Sequence, residues 1–182
     1  MPPTTTHSIH WDEFHRDSRQ LCNRLSSVRS WSRILAIARG GLIPAGIIAR
    51  ELDIRETHVL CVKSYLGETA SGPANRRDDV QFLSPIPTGD GSGWLVIDDL
   101  ADTGATIRTI RNHLPKACYA AIYTKPEGRS ALDHFVQEFP QDCWLNFPWD
   151  LEPTYAPPLA DRTHAPSQQP CPQPQQTPRV TL

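Results

Sequence analysis

Hydrophobic positions in this chain switch repeatedly between helical spacing and short unbroken runs. Trp11, Phe14, Leu21 and Leu25 recur at helical intervals, with Ser18 and charged residues between them. That spacing predicts an amphipathic helix of about four turns. The apolar run Arg-Ile-Leu-Ala-Ile-Ala at 33–38 reads as a buried strand. It passes through Arg39-Gly40-Gly41 into a helical stretch carrying Ile43, Ile47, Ile48 and Leu52. Pro44 suits the first turn of that helix, where a missing amide costs nothing. Residues 58–64 read as the next strand. The run Trp94-Leu95-Val96-Ile97, after Gly91-Ser92-Gly93, is too short for a free-standing helix and reads as a strand buried on both faces. A helix over 107–114 ends near Pro115, and 117–124 forms one more strand. The alternation is that of an α/β domain.

Three stretches depart from it. Residues 65–93 are rich in Gly, Pro, Ser, Asp and Arg, and a segment of that length inside a compact domain reads as a lid or a disordered insertion. Residues 141–150 are aromatic and irregular, either core filler or a hood folded over the end of the sheet. Residues 161–182 are Pro- and Gln-rich and bury too little to offset their chain entropy, so a disordered tail is expected. The polar residues 1–8 are expected to be a mobile N-terminus, leaving 9–160 as the domain.

Chemistry concentrates where the strand at 94–97 ends. Asp98 and Asp99 are adjacent, and successive strand side chains point to opposite faces. One is therefore expected to face the crevice above the sheet, and the other a neighbouring strand or a basic partner. Asp102-Thr103-Gly104-Ala105-Thr106 follows, small and hydroxyl-rich, just before a helix. Free amides at a helix N-terminus and the Thr hydroxyls both donate to phosphate oxygens, so this turn reads as an anion cradle. In the earlier strand–helix turn, Gly40 and Gly41 allow close backbone approach to a ligand and Arg39 adds a fixed positive charge. Lys125, at the end of the strand over 117–124, is core-supporting, salt-bridged or ligand-facing on this reading.

Composition narrows the class. With 182 residues and 38% hydrophobic content, one domain with a proper core is expected. The formal net charge of −2, with no basic stripe, argues against general nucleic-acid binding. Five scattered cysteines, Cys22, Cys61, Cys118, Cys143 and Cys171, form no Cys-x-x-Cys pair and read as reduced thiols of a cytoplasmic protein. The histidines show no metal-ligand spacing. No apolar run approaches membrane-spanning length, and residues 1–7 lack the regions of a signal peptide. A P-loop is absent, which excludes that class of nucleotidase.

Apolar strand, two acids, two apolar residues and Asp-Thr-Gly-x-Thr together resemble the phosphoribosyl pyrophosphate (PRPP) signature of the type I phosphoribosyltransferases. Arg39-Gly40-Gly41-Leu42, Lys125-Pro126-x-Gly128-Arg129 and Gln141-Asp142-x-Trp144 with Pro148-Trp149-Asp150 extend the likeness to the bacterial xanthine-guanine phosphoribosyltransferase family. The resemblance runs from about residue 9 to residue 158. It implies the type I fold, a mostly parallel central sheet flanked by helices, with a small hood from about 134–158 and a mobile lid. It also implies transfer of a phosphoribosyl group from PRPP to a 6-oxopurine, with Mg²⁺ as cofactor.

Site roles follow from the same resemblance. Asp98 and Asp99 would hold the ribose hydroxyls, with Asp99 also at the metal. Thr103, Gly104, Ala105 and Thr106 would line the 5′-phosphate subsite together with Asp102, which would also handle the proton on purine N7. Arg39, Gly40 and a lid arginine, Arg76 or the favoured Arg77, would bind pyrophosphate. Lys125 would donate to the 6-oxo group, Trp144 would stack on the purine, and the Leu145 carbonyl would meet the 2-position substituent. Two positions depart from the family: Ala105 replaces a common glycine, and Asn146 stands where relatives carry an acid. A homo-oligomer of two or four copies, and peripheral membrane association, come from family analogy alone. The competing expectations are a PRPP-sensing regulator on the same fold and a transferase for another base.

Overall fold

The computed structural model describes residues 5–64 and 80–150. The chain divides into two units, residues 1–149 and 150–182, and the second contributes only Asp150 to the described residues. In order, the elements are β1 (Thr5–Ser8), α1 (Trp11–Ser26), β2 (Arg33–Ala38), α2 (Leu42–Glu51), β3 (Glu56–Ser64) and β4 (Val80–Phe82). They continue with β5 (Trp94–Ala101), α3 (Ala105–His113), β6 (Cys118–Thr124), α4 (Pro126–Arg129), β7 (Gln137–Glu138) and β8 (Cys143–Asn146).

Six strands form one sheet in the order β4-β3-β2-β5-β6-β7, parallel throughout except for the antiparallel edge strand β4. The parallel strands are buried from both sides because their apolar residues alternate between two cores. Ile34 and Ala36 of β2, with Leu95 and Ile97 of β5, pack against Phe14, Leu21 and Leu25 of α1 and Ile48 of α2. Leu35 and Ile37, with Trp94 and Val96, pack against Ile107 and Ile110 of α3 on the other face. This is why the strands read as unbroken apolar runs rather than as a polar–apolar alternation.

From β2 the chain moves through α2 to β3 on one side, and from β5 through α3 to β6 on the other. The winding direction reverses between β2 and β5. A crevice opens at the carboxyl ends of the strands at such a reversal, and open α/β sheets place ligands there.

Two expectations are corrected. Residues 1–8 are not mobile throughout: Thr5–Ser8 pair in parallel with Cys143–Asn146, Thr6 opposite Trp144 and Ser8 opposite Asn146. The strand is polar and exposed, so no apolar periodicity announces it; backbone pairing to β8 makes it. The long polar segment 65–93 also contains structure, since Val80–Phe82 pair with Val62–Ser64 at the sheet edge. The remainder of the expected lid, including Arg76 and Arg77, lies outside the described residues, as do the tail at 161–182 and Cys171. Cys22, Cys61, Cys118 and Cys143 are free thiols.

Candidate active site

A cavity of about 450 Å³ sits at the switch point. Its walls come from the β2–α2 loop (Arg39, Gly40), the end of β5 (Asp98, Asp99) and the turn into α3 (residues 102–106), with β3 and β4 at its rim. Segments distant in sequence meet here because parallel strands all end at the same edge of the sheet.

Strand β5 runs through both acids rather than stopping before them, and both residues line the cavity. The two acids are half-buried and sit between the apolar Ile97 and the core-packed Leu100 and Ala101, so the crevice opens at a polar interruption of the strand. Asp98 Oδ1 accepts the Asp99 amide at 3.0 Å, and Asp99 Oδ1 accepts the Leu100 amide at 2.7 Å. Burial, reinforced by the adjacent Asp99 charge, holds the Asp98 carboxyl well above the usual carboxylate range.

The β2–α2 loop lies directly over Asp99. A Cβ placed on Gly40 would fall 2.3 Å from both Asp99 carboxylate oxygens, so only glycine leaves the acid in its place. The Ala38–Arg39 peptide is cis, and Arg39 is exposed at the cavity wall.

On the other side, Gly104 turns the chain with φ of 77° and caps α3 without any side-chain hydrogen bond. The Thr103 hydroxyl accepts the Ala105 amide at 3.3 Å, and the first helical bond runs from the Arg108 amide to the Gly104 carbonyl. The amides of Thr106 and Ile107 lie ahead of that bond, at the positive end of the helix dipole, where an anion is favoured. Ala105 takes the first helical position. Arg108 folds back and donates to the Thr103 carbonyl at 2.8 Å.

Lys125, at the end of β6, is 6% exposed, and its Nζ lies 3.0 Å from Asp102 Oδ1. The salt bridge, one of the three roles open to it in the sequence, is present in the fold. Gln141 completes the cluster: its Nε2 donates to the same Asp102 oxygen at 3.0 Å, and its Oε1 accepts the Glu127 amide at 3.1 Å. Trp144 is 48% exposed on β8, and its Nε1 donates to Asn146 Oδ1 at 3.0 Å. Asn146 is buried and reaches Ser8 Oγ on β1 at 3.5 Å.

Residues 10–155 match the model of the phosphoribosyl transferase domain family. The chain belongs to this family. Xanthine-guanine phosphoribosyltransferase of Chromohalobacter salexigens is 44% identical over 158 residues, covering 87% of this chain and 92% of that protein. The protein of the same name from Desulfotalea psychrophila is 46% identical over 157 residues, covering 86% and 94%. Among solved structures, the purine phosphoribosyltransferase of Pyrococcus horikoshii superimposes with a TM-score of 0.66 at 25% identity, covering 84% of this chain and 99% of that one. The xanthine-guanine-hypoxanthine phosphoribosyltransferase of Helicobacter pylori shares the fold, with a TM-score of 0.61 at 19% identity and coverage of 80% and 93%.

In this phosphoribosyltransferase family member the PRPP-signature residues Asp98, Asp99, Asp102, Thr103, Gly104, Ala105 and Thr106 share one cavity with Arg39 and Gly40. Lys125 joins them through Asp102. Trp144 and Leu145 do not line the cavity; they lie on β8, with Leu145 buried. Gln141 had no role in the sequence reading beyond its place in the resemblance. Its bond to Asp102 spans 39 residues of chain, a separation at which spacing carries no signal.

Proposed function

We propose that the chain transfers the 5-phosphoribosyl group of PRPP to a 6-oxopurine, releasing pyrophosphate and giving the nucleoside 5′-monophosphate in purine salvage. One observation carries this reading: two consecutive carboxylates, a helix-start anion cradle and an Arg-Gly loop wall a single cavity. The relatives bearing the name xanthine-guanine phosphoribosyltransferase support the choice of base.

PRPP requires three things of its site: anchoring of the 5′-phosphate, a grip on the ribose hydroxyls, and compensation of charge on the departing pyrophosphate. Thr103, Gly104, Ala105 and Thr106 anchor the phosphate through amides and hydroxyls. Asp98 and Asp99 hold the ribose hydroxyls, and the negative charge of the pair, carried first by Asp99, favours the positive charge that builds on the sugar in the transition state. Arg39 and the Gly40 backbone receive pyrophosphate, with Arg77 as the lid donor.

The donor set also fits Mg²⁺. No group of three or more His, Cys, Asp or Glu side chains forms a metal cage among the described residues. A hard cation held by one or two carboxylates plus substrate oxygens needs no such cage, and Asp99, under the side-chain-free Gly40, offers that carboxylate. When bound, the ion offsets negative charge on the leaving oxygens.

Lys125 has two N–H donors beyond the one directed at Asp102, enough to meet a 6-oxo oxygen, and it offers nothing to an amine hydrogen. Trp144 presents an exposed ring for stacking on the purine face, with the Leu145 carbonyl toward the 2-position. As a purine nitrogen bonds to C1 of the ribose, the C1–oxygen bond breaks and its electron pair leaves with pyrophosphate. The proton on N7 passes to Asp102. Most of the rate then comes from positioning and fixed charge.

A homo-oligomer and a cytoplasmic location complete the reading on the strength of the family resemblance. No helix among the described residues is long and apolar enough to cross a membrane.

Incubation of the protein with PRPP, Mg²⁺ and guanine, xanthine, hypoxanthine or adenine in turn tests the proposal, with nucleotide and pyrophosphate quantified. Nucleotide and pyrophosphate in equal amounts from the 6-oxopurines is the expected result. Absence of nucleotide from every base would overturn it.

A further inference from the structure

Among the described residues, Asp102 is held through one oxygen only. Lys125 Nζ and Gln141 Nε2 both donate to Oδ1, each at 3.0 Å, and no described residue meets Oδ2. Gln141 is anchored in turn by the Glu127 backbone amide, which donates to its Oε1 at 3.1 Å. A backbone N–H only donates, so the oxygen end of the Gln141 amide must face Glu127 and the NH₂ end must face Asp102. The amide cannot reverse without setting two donors against each other at Glu127 and two acceptors at Asp102. Gln141 is half-buried, which limits competition from water for these bonds.

We propose that Gln141 is a positioning residue for Asp102: its oriented amide keeps Oδ1 an acceptor, so that a proton reaching the carboxylate settles on Oδ2. Two N–H donors already occupy both in-plane lone pairs of Oδ1, one of them an ammonium, and a proton there would displace one of the two. The inference rests on the phosphoribosyl-transfer reading, in which the proton comes from purine N7. The charged group in contact with Asp102 among the described residues is Lys125 on β6, and Arg39, Lys63, Asp98 and Asp99 line the same cavity. Gln141 is the neutral member of the cluster and ties the entry of β8 to the turn after β5. It therefore also sets where the carboxylate stands relative to the hood that carries Trp144.

Two substitutions separate this role from a purely structural one. Gln141→Glu keeps the side-chain volume and still accepts the Glu127 amide, but once ionised it presents an oxygen to Asp102 where a donor stood. Gln141→Ala removes both bonds. Steady-state kinetics at mildly alkaline pH, with thermal melts of each protein, give the readout. Both variants are expected to lose between about tenfold and a hundredfold in kcat, a part of what general-base action supplies. The KM for PRPP is expected to stay within about twofold, because the phosphate turn and the Asp98–Asp99 pair are untouched. Wild-type kcat in Gln141→Glu would overturn the proposal and leave Gln141 as an anchor for α4. Loss of folding in both variants would overturn it as well, assigning the residue to the fold. If the unaltered protein made no nucleotide, the parent reading would fall with it. An active wild type beside an equally active Gln141→Glu would sink this inference alone.

Discussion

Lys125 Nζ stands 3.0 Å from Asp102 Oδ1, joining the end of β6 to the turn that follows β5. The two members differ in environment: the lysine side chain is 8% exposed and the aspartate side chain 47%. The ammonium is thus fixed by the fold, while the carboxylate keeps one side toward solvent and cavity. On the phosphoribosyl-transfer reading, the residue that reads the 6-position of the base and the residue that handles its N7 proton are a single unit.

Lys125→Ala is expected to relax the discrimination against adenine. On the proposed reading, removing the buried donor that meets the 6-oxo oxygen would weaken binding of 6-oxopurines and remove the mismatch with adenine's amine. The kcat/KM ratio for guanine over adenine should fall by tenfold or more, in line with the roughly 1.5–3 kcal/mol of a hydrogen bond to a charged group. An unchanged ratio would remove Lys125 from base recognition.

Asp99→Ala and Asp102→Ala are expected to abolish most nucleotide formation while the domain stays folded. Both side chains line the cavity rather than either core. Loss of the acid–base group alone is worth about 10²–10⁴ in rate. Turnover measured beside circular dichroism melts checks this; a variant with wild-type turnover would lose its assigned role.

Gly40→Ala places a methyl group 2.3 Å from the Asp99 oxygens. The atoms in its way are the end of a short side chain, so the carboxylate shifts and the loop survives. Calorimetric titration with PRPP and Mg²⁺ is expected to show affinity weakened by about tenfold or more, equivalent to about 1.4 kcal/mol, with little change in melting temperature. Unchanged affinity would place the pyrophosphate grip elsewhere.

Alkaline pH should destabilise the fold through buried thiols. Burial pushes Cys22 up to about 11 and Cys118 up to about 12, from 9.0 for a free thiol. Below pH 9 both states keep the proton and stability is unaffected. Above it the unfolded chain releases protons that the folded chain retains, so unfolding free energy falls as pH rises through 11–12. Urea titrations at pH 8 and pH 10.5 are expected to show a lower midpoint at the higher pH, with part of the difference removed in a Cys22→Ala, Cys118→Ala double variant.

The sequence by itself determined the succession of helices and buried strands, because apolar periodicity records which faces each segment must bury. Arg33–Ala38 was legible to the residue, and Asp98 to Thr106 stood out as acids and hydroxyls at the exit of an apolar run. Only the tertiary structure decided how those groups meet. It brought Asp98 and Asp99 to one cavity with Arg39 and Gly40, because the parallel strands β2 and β5 end side by side at the same edge of the sheet. It set Lys125 and Gln141 on one oxygen of Asp102, contacts made by strand ends and loops that carry no periodicity. It also made a strand of the polar Thr5–Ser8, whose state depends on backbone bonds to β8 and on nothing its own side chains express. Local pattern encodes burial, whereas convergence of polar groups is a property of register and topology.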